Sequence, residues 1–266
     1  MITAGIDIGS LSTNAVLLTE NEILASCSIR TGPNGVEAAW KVINEAFQIA
    51  SSRGYELNFE NINRIVSTGY GRVVVPFSHS NVTEIACHAR GNHWAFPEVV
   101  TILDMGGQDC KAIRCGKNGK VVNFEMNDKC AAGTGRYLER IASTLGIRLD
   151  DFGEASLNTV NGPAIISSIC TVYAQRDILI LQRQGVHPND ILAGACKAIV
   201  DRIFPMLNRI GIQETFVVSG GVAKNRGVIM KLKEKTGIEP KIHSDPQIMG
   251  ALGAALFAQD QYKKTH

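Results

Sequence analysis

The first thirty residues alternate between short apolar runs and polar turns that contain glycine. Runs rich in Ile, Val and Leu, bounded by Gly, Ser, Thr and Asn, are typical of β-strands. The pattern predicts strands at Ile2–Ile8, Asn14–Thr19 and Ile23–Arg30, with a turn at Gly9–Thr13. The chain is therefore expected to open with a hairpin and a third strand.

The layout of this hairpin returns further along the chain without gaps. In "TILDMGGQDCKAIRCGKNG", Asp104 corresponds to Asp7 at an offset of 97 (104 − 7 = 97), and Gly106 corresponds to Gly9. The repeat predicts two related α/β halves, each opening with a hairpin that carries an aspartate and glycines. At the same offset, Ile6 matches Leu103, Ala15 matches Ala112 and Asn21 matches Asn118.

Apolar residues at helical spacing predict helices in the rest of the chain. Val36–Ala50 is expected to be a helix with Asn34 as its N-cap and Trp40 on its apolar face. Asp190–Leu207 is predicted as a second helix that bends or ends at Pro205. Helices therefore fill much of the sequence between and after the hairpins.

No low-complexity linker separates the two halves. We expect the boundary near Phe96–Glu98, which gives domains of residues 1–97 and 98–266. The final predicted helix, in "SDPQIMGALGAALFAQD", is rich in small residues that permit close backbone packing, and it is free to pack back on the first domain.

Composition narrows the class of protein. Hydrophobic residues make up 45% and charged residues 20% of the 266 positions, as in ordinary soluble globular proteins. The formal net charge of +2 argues against a surface built to bind nucleic acid or membranes. Because "MITAGIDIGS" lacks a basic segment and carries Asp7 within its apolar stretch, we expect no signal peptide and a cytoplasmic location.

Glycine-containing turns follow apolar strands at Gly5–Thr13, Leu103–Asp109 and Val217–Asn225. Glycine lets backbone N–H groups approach an anion, and Asp7 and Asp104 suit a hydrated Mg²⁺ beside phosphates. One such turn is most often an ordinary turn, but three together favour phosphate binding, although no Walker A sequence is present. The candidate nucleotide-binding residues are Gly9, Ser10, Ser12, Thr13, Gly106, Gly107, Gly133, Thr134, Gly135, Gly220, Gly221 and Asn225.

Seven cysteines with no C-x-x-C spacing argue against a disulfide framework and against a locally encoded zinc or ferredoxin-type site. Cys130 and Cys170, separated by 170 − 130 = 40 positions, each precede a predicted helix. A helix N-terminus stabilises a thiolate and equally an iron–sulfur cluster. Burial as a small hydrophobe is the usual role of a cysteine, and we assign it to Cys27, Cys87, Cys110, Cys115 and Cys196.

Motifs along the chain resemble a known family: "STGYGR", "TEIACHARG", "FEMNDKCAAGTGRYLE", "SSICTVYA" and "SGGVAKN". Through them nearly the whole chain resembles the BadF/BadG/BcrA/BcrD ATPase family, and within it the activators (component A) of 2-hydroxyacyl-CoA dehydratases. The hairpins, the late glycine turn and the "GALGAAL" helix also resemble the phosphate-1, phosphate-2 and adenosine elements of the actin, sugar-kinase and Hsp70 superfamily. This resemblance implies an α/β fold of two ribonuclease-H-like domains with ATP or ADP in the cleft between them.

The resemblance also implies an ATPase coupled to electron transfer. We expect Asp7 and Asp104 to organise hydrated Mg²⁺ and Gln108 to position the attacking water. One [4Fe–4S] cluster would bridge a homodimer, with Cys130 and Cys170 of each subunit as ligands. Ferredoxin or flavodoxin is the expected electron donor, and an iron–sulfur enzyme such as a 2-hydroxyacyl-CoA dehydratase is the expected acceptor.

One departure from the family pattern follows the second cysteine. Gln175 and Arg176 stand where the family commonly has an acidic residue and a hydroxyl. No role of that acid therefore carries over to this chain, and the departure bears on the surroundings of the cluster and on the choice of partner.

Proteins of the same superfamily also have two other functions, which are the alternatives for this chain. A small-molecule kinase, such as an amino-sugar kinase, needs a sugar pocket and a catalytic aspartate but no cysteine pair. An actin-like nucleotide switch would form filaments that sediment with ATP. The paired cysteines favour the electron donor over both.

Overall fold

The structure is a computed structural model that describes residues 1–20 and 22–266. The described residues divide into two compact units. The first unit consists of Met1–Val99, Cys115–Val122 and Gln247–His266, and the second of Val100–Arg114 and Asn123–Pro246. Asn21, which the internal repeat matches with Asn118, lies outside the described residues.

The elements are numbered in chain order. The strands are β1 (Thr3–Ile8), β2 (Ser12–Leu18), β3 (Ile23–Arg30), β4 (Arg64–Thr68), β5 (Ser80–Asn81), β6 (Thr101–Met105), β7 (Cys110–Cys115), β8 (Val121–Asn127) and β9 (Phe216–Ser219). The helices are α1 (Gly35–Ser52), α2 (Glu84–Ala95), α3 (Gly135–Leu145), α4 (Leu149–Leu157), α5 (Thr171–Arg183), α6 (Pro188–Ile210), α7 (Arg226–Thr236) and α8 (Met249–Thr265).

The first unit is built on a mixed sheet with the strand order β3–β2–β1–β4–β5. Strand β1 pairs antiparallel with β2 and parallel with β4. Alternate residues of β2 point to opposite faces, so Leu17 packs against α1, whereas Val16 packs against α8. Helices therefore cover both faces of this sheet.

Helix α1 begins at the predicted cap, because Asn34 Oδ1 accepts hydrogen bonds from the backbone N–H groups of Val36 and Glu37. The predicted apolar face is confirmed at Ile43, Phe47 and Ala50, which belong to the core or pack against it, but it is wrong at Val36 and Trp40, which are exposed. The buried face runs through Val42 and Ile43 and the small alanines beside them, while Trp40 is 42% exposed. Trp40 instead packs at the helix edge in an aromatic cluster with Phe59 and Phe77.

Helix α8 lies very close to its neighbours because glycines face it or lie within it. A Cβ atom on Gly5 of β1 would collide with the carbonyl oxygen of Ala251, and one on Gly253 would collide with the carbonyl oxygen of Cys87. The small residues of "GALGAAL" therefore set the contact distance between α8, the sheet and α2.

The second unit contains a sheet with the strand order β8–β7–β6–β9. Its core joins Leu103 and Met105 of β6 to Ile199 and Ile203 of α6. Helix α6 continues to Ile210 although Pro205 lies inside it, so of the two predicted alternatives, a bend or an end at this proline, the end is wrong. Among the described residues, no helix combines the length and apolarity needed to cross a membrane.

The register of the two hairpins repeats at the predicted offset. Asp7 lies opposite Asn14 across β1 and β2, and Asp104 lies opposite Lys111 across β6 and β7. Both turns are closed in the same way: a backbone N–H donates to the carbonyl three residues later, at 2.9 Å in the first hairpin and 3.0 Å in the second.

The repeat extends to a third strand, which the sequence did not reveal. Thr68 of β4 pairs in parallel with Asp7, and Ser219 of β9 pairs in parallel with Asp104, at an offset of 219 − 68 = 151. The glycine after each, Gly69 or Gly220, has a φ of 87° or 84°. A Cβ there would also collide with the carbonyl oxygen of the residue after the aspartate, so both positions require glycine.

Candidate functional site

The first hairpin carries Asp7 at the end of β1, where only 6% of the residue is exposed. Its carboxylate lies against two glycines, because a Cβ on Gly69 or on Gly250 would collide with one of its oxygens. The hydroxyl of Thr13 lies 3.0 Å from that of Thr31, which donates to the carbonyl of Gly9. Thr13 therefore stabilises the turn, while Ser10 at its tip is exposed.

The second hairpin carries Asp104, 2% exposed, at the corresponding place. The Ser219 hydroxyl donates to Asp104 Oδ1 at 2.9 Å, so the third strand orients this carboxylate. Gln108 is exposed in the turn, beside the half-buried Gly106 and Gly107. Its exposure leaves the Gln108 side chain accessible to a ligand.

A buried lysine, which the sequence analysis missed, lies beside Asp104. Lys111 Nζ is 2.9 Å from Asp109 Oδ2 and 3.5 Å from Asp104 Oδ2, and its side chain is 3% exposed. Buried lysines require a charged partner, so a lysine inside the apolar strand "CKAIRC" was the signal available in the sequence.

The segment Gly133–Gly135 leads into α3, whose first residues are hydrogen-bonded to the second turn. The backbone N–H of Gly135 donates to the carbonyl of Gly106, and that of Arg136 donates to the carbonyl of Gly107, both at 2.9 Å. The N–H of Gly133 and the hydroxyl of Thr134 both donate to the carbonyl of Ala131. These donors bind the protein's own carbonyl groups and fix the second turn to the start of α3.

The late glycine turn connects β9 to α7. Gly220 follows Ser219, and Gly221 is exposed. Asn225 Oδ1 accepts a hydrogen bond from the backbone N–H of Val228 at 3.1 Å, so Asn225 is the N-cap of α7. Its expected role in nucleotide binding stays a prediction, and in the fold it fixes the turn.

Cys130 lies against the segment that leads into Cys170, because its Sγ atom lies 3.9 Å from the carbonyl oxygen of Ile169, the residue before Cys170. Both are partly exposed, whereas the other five of the seven cysteines are buried. No group of three or more His, Cys, Asp or Glu side chains suited to a metal ion occurs in the described part of the chain. One chain therefore offers two partly exposed thiols, those of Cys130 and Cys170.

Both cysteines precede a helix, as predicted, but only one of them lies directly at the helix start. Cys170 is the N-cap residue of α5. Helix α3 begins at Gly135, five residues after Cys130 (135 − 130 = 5), and its first N–H groups donate to the second turn. Cys130 is therefore not the cap of α3, and stabilisation of its thiolate by this helix start stays a prediction.

Large apolar side chains are exposed around Cys170. Ile165 is 93%, Ile169 68%, Val172 63% and Tyr173 52% exposed. Exposed apolar residues that form a patch are typical of interaction surfaces, so the segment on either side of Cys170 suits contact with a partner.

A model of the BadF/BadG/BcrA/BcrD ATPase family matches residues 4–258. The chain belongs to this family. It is 37% identical to the 2-hydroxyisocaproyl-CoA dehydratase activator of Clostridioides difficile, covering 100% of this chain and 97% of the relative. It is 36% identical to the (R)-2-hydroxyglutaryl-CoA dehydratase activating ATPase of Acidaminococcus fermentans, covering 98% of this chain and 97% of the relative.

Solved structures of the BadF/BadG/BcrA/BcrD ATPase family have the same fold. The C. difficile 2-hydroxyisocaproyl-CoA dehydratase activator with bound ADPNP superposes with a TM-score of 0.93 at 36% identity, covering 100% of this chain and 97% of that one. A ROK family glucokinase from Streptomyces griseus, at 14% identity and a TM-score of 0.55, covers 98% and 100% of the two chains and shares the fold alone. The predicted fold class is confirmed.

Gln175 and Arg176, which stand where the family commonly has an acidic residue and a hydroxyl, both contact neighbouring side chains. Gln175 Oε1 accepts a hydrogen bond from Arg140 Nη1 at 3.4 Å, which links α5 to α3. Arg176 pairs with Asp177 at 3.2 Å, and its guanidinium lies over the Tyr173 ring at 5.7 Å. An amide and a cation therefore stand in α5, the helix that Cys170 caps, where an acid and a hydroxyl were expected.

Alkylation should distinguish the cysteine pair from the buried cysteines. Burial raises the pKa of Cys87 and Cys196 to about 12 and that of Cys115 to about 11, so these thiols stay protonated and unreactive at pH 8. Iodoacetamide should label only Cys130 and Cys170 in folded, cluster-free protein, as read by peptide mass spectrometry. Urea-unfolded protein is the control and should take seven labels. Rapid labelling of Cys87 in folded protein would contradict the assignment.

Proposed function

We propose that this chain is an ATP-dependent electron donor that activates a partner iron–sulfur enzyme, such as a 2-hydroxyacyl-CoA dehydratase. The observation that carries the proposal is that the partly exposed Cys130 lies against Ile169, the residue before the partly exposed Cys170. Membership of an ATPase family whose relatives include dehydratase activators supports the same function.

The cysteine pair fits half of a four-thiolate site. An iron–sulfur cluster of this type binds four cysteine sulfurs, and each chain supplies Cys130 and Cys170. We therefore propose one [4Fe–4S] cluster per homodimer, with both chains as ligands around a two-fold axis. The exposed apolar residues beside Cys170 support such an association, because a dimer would bury them. When bound, the cluster supplies one-electron redox chemistry.

Each aspartate-bearing hairpin is suited to the phosphates of a bound nucleotide. Asp7 and Asp104 are carboxylates at strand ends, and glycines lie against Asp7; such carboxylates suit hydrated Mg²⁺ better than direct contact with phosphate. When bound, Mg²⁺ neutralises phosphate charge during hydrolysis. We propose that Gln108, exposed in the second turn, positions the attacking water.

The second unit also offers a route from the nucleotide to the cysteines. The turn at Gly106 and Gly107 accepts the first two N–H groups of α3. Arg140 of α3 donates a hydrogen bond to Gln175 of α5, the helix whose N-cap is Cys170. A shift of this turn on ATP hydrolysis would therefore move α3 and, through it, the surroundings of Cys130 and Cys170.

Anaerobic purification tests the proposal. We expect about four irons and four sulfides per two chains. With reduced flavodoxin or ferredoxin as donor and a 2-hydroxyacyl-CoA dehydratase as acceptor, we expect the acceptor to be reduced only while ATP is hydrolysed. Colourless, monomeric protein whose ATP consumption depends on a sugar would contradict the proposal and favour the kinase.

A further inference from the structure

A buried amide oxygen lies next to Asp7 without a donor. Asn14 is 4% exposed in β2. Within residues 1–20 and 22–266, its Oδ1 atom has no hydrogen-bond partner. Buried polar atoms are nearly always paired in folded proteins, so this oxygen is expected to meet a group that binds with the ligand.

The position of Asn14 is fixed by the strand register. It lies directly opposite Asp7 in the antiparallel pair of β1 and β2. Residues so placed have side chains on the same face, with Cβ atoms about 5 Å apart. Val16, two residues on, packs against α8, and a Cβ on Gly250 of α8 would collide with Asp7 Oδ2. Asn14 and Asp7 therefore share the face that α8 covers.

In the second unit, a lysine occupies the position that corresponds to Asn14. At the corresponding position, Lys111 places its ammonium group 3.5 Å from Asp104 Oδ2, so that hairpin contains its own cation. Asn14 brings no cation to Asp7, and its carbonyl oxygen adds an acceptor beside a carboxylate. Two acceptor groups attract a metal ion or the protons of metal-bound water, whereas they repel a phosphate oxygen.

We propose that Asn14 Oδ1 acts with Asp7 to position the hydrated Mg²⁺ that accompanies the nucleotide, an inference that rests on the proposed ATPase function. Asn14 is then a positioning residue, which binds metal-bound water and contacts no phosphate. Asn14 makes the first hairpin dependent on Mg²⁺, while the second hairpin carries Lys111 as a built-in cation.

Nucleotide binding measured over a range of Mg²⁺ concentrations tests this role without reference to activity. Titration calorimetry with ADP would compare wild type, Asn14→Ala and Asn14→Asp, at graded Mg²⁺ concentrations and in EDTA. For Asn14→Ala, we expect the Mg²⁺ concentration that gives the half-maximal gain in ADP affinity to rise about tenfold, as for the loss of other outer partners of metals. The ADP affinity in EDTA should remain close to that of wild type, because the proposed role of the side chain is toward metal-bound water and not toward phosphate.

The aspartate variant separates an acceptor role from a donor role. Asn14→Asp retains an acceptor oxygen and should keep the Mg²⁺ requirement at or below that of wild type. If Asn14→Ala instead weakens ADP binding in EDTA as much as it does with Mg²⁺, the amide N–H group donates to phosphate and the inference is wrong.

Asn63→Ala is the matched control, since Asn63 binds the backbone N–H of Ile2 at the opposite end of β1. It should leave the Mg²⁺ dependence unchanged.

Unfolding midpoints in EDTA identify any variant that is merely destabilised. If the wild-type protein fails to bind ADP, the proposed ATPase function is wrong. If wild type binds ADP and Asn14→Ala shows the same Mg²⁺ dependence, only the role of Asn14 falls.

Discussion

Replacing Cys170 with serine should remove the iron from this protein and abolish ATP-dependent electron transfer, and replacing Cys130 should do the same. A serine hydroxyl is a far weaker ligand for iron than a thiolate. Because a two-fold dimer duplicates every substitution, one change removes two of the four proposed ligands. The effect should therefore be nearly complete loss.

Iron and sulfide content per chain, together with the visible absorption of anaerobically purified protein, measures this effect. The matched control is Cys196→Ala, which removes a buried thiol from α6 of the same unit. It should keep its iron. ATP hydrolysis in the cysteine variants should persist, since neither thiol belongs to the hairpins that carry Asp7 and Asp104. Retention of iron in either serine variant would rule out the bridging cluster.

Loss of iron should also change the oligomeric state. The side chains around Cys170, among them Ile169 and Val172, are exposed in a single chain. If a bridging cluster holds the dimer, Cys170→Ser should sediment largely as a monomer. A stable dimer without iron would show that these apolar contacts are sufficient, and a cluster would then be unnecessary for association.

The sequence was informative where the signal was local or repeated without gaps. Asn34 caps α1 as predicted, because a cap depends on the few residues that follow it. The hairpin repeat predicted that Asp7 and Asp104 occupy equivalent places, since strand–turn–strand units keep a fixed register. The family resemblance, carried by motifs along nearly the whole chain, is confirmed by the family match.

Other features of the fold and of the site could not be predicted, because they depend on contacts between residues that are far apart in the sequence. Gly69 and Gly220 correspond at an offset of 220 − 69 = 151, because the connections before β4 and β9 differ in length. Trp40 was assigned to the core by its spacing, but small alanines occupy the contact with the sheet and leave the indole at the edge. The ion pairs of Lys111 appear only when β6 and β7 lie side by side.

Lys111→Met should strongly destabilise the second unit. The ammonium group lies between the carboxylates of Asp104 and Asp109, and its side chain is 3% exposed. Removing one partner of a buried ion pair leaves an uncompensated charge, which costs about 3–5 kcal/mol of folding free energy. Methionine fills most of the lysine volume, so the loss of charge dominates.

Urea unfolding followed by circular dichroism would measure the loss, with Lys197→Met as the matched control. Lys197 pairs with Asp201 at 2.6 Å, but its side chain is 59% exposed. Exposed pairs contribute about 0–1 kcal/mol, so the control should unfold near the wild-type midpoint. The same substitution at the two sites therefore separates the effect of burial from that of losing a lysine.

A second substitution tests whether the uncompensated charge is the cause. In Lys111→Met combined with Asp104→Asn, the carboxylate that Lys111 leaves behind is replaced by a neutral amide that can still accept from Ser219. The double variant should therefore be more stable than Lys111→Met alone, because coupled neighbours are non-additive. Equal or lower stability of the double variant would mean that packing around β7, and not charge, makes Lys111 necessary.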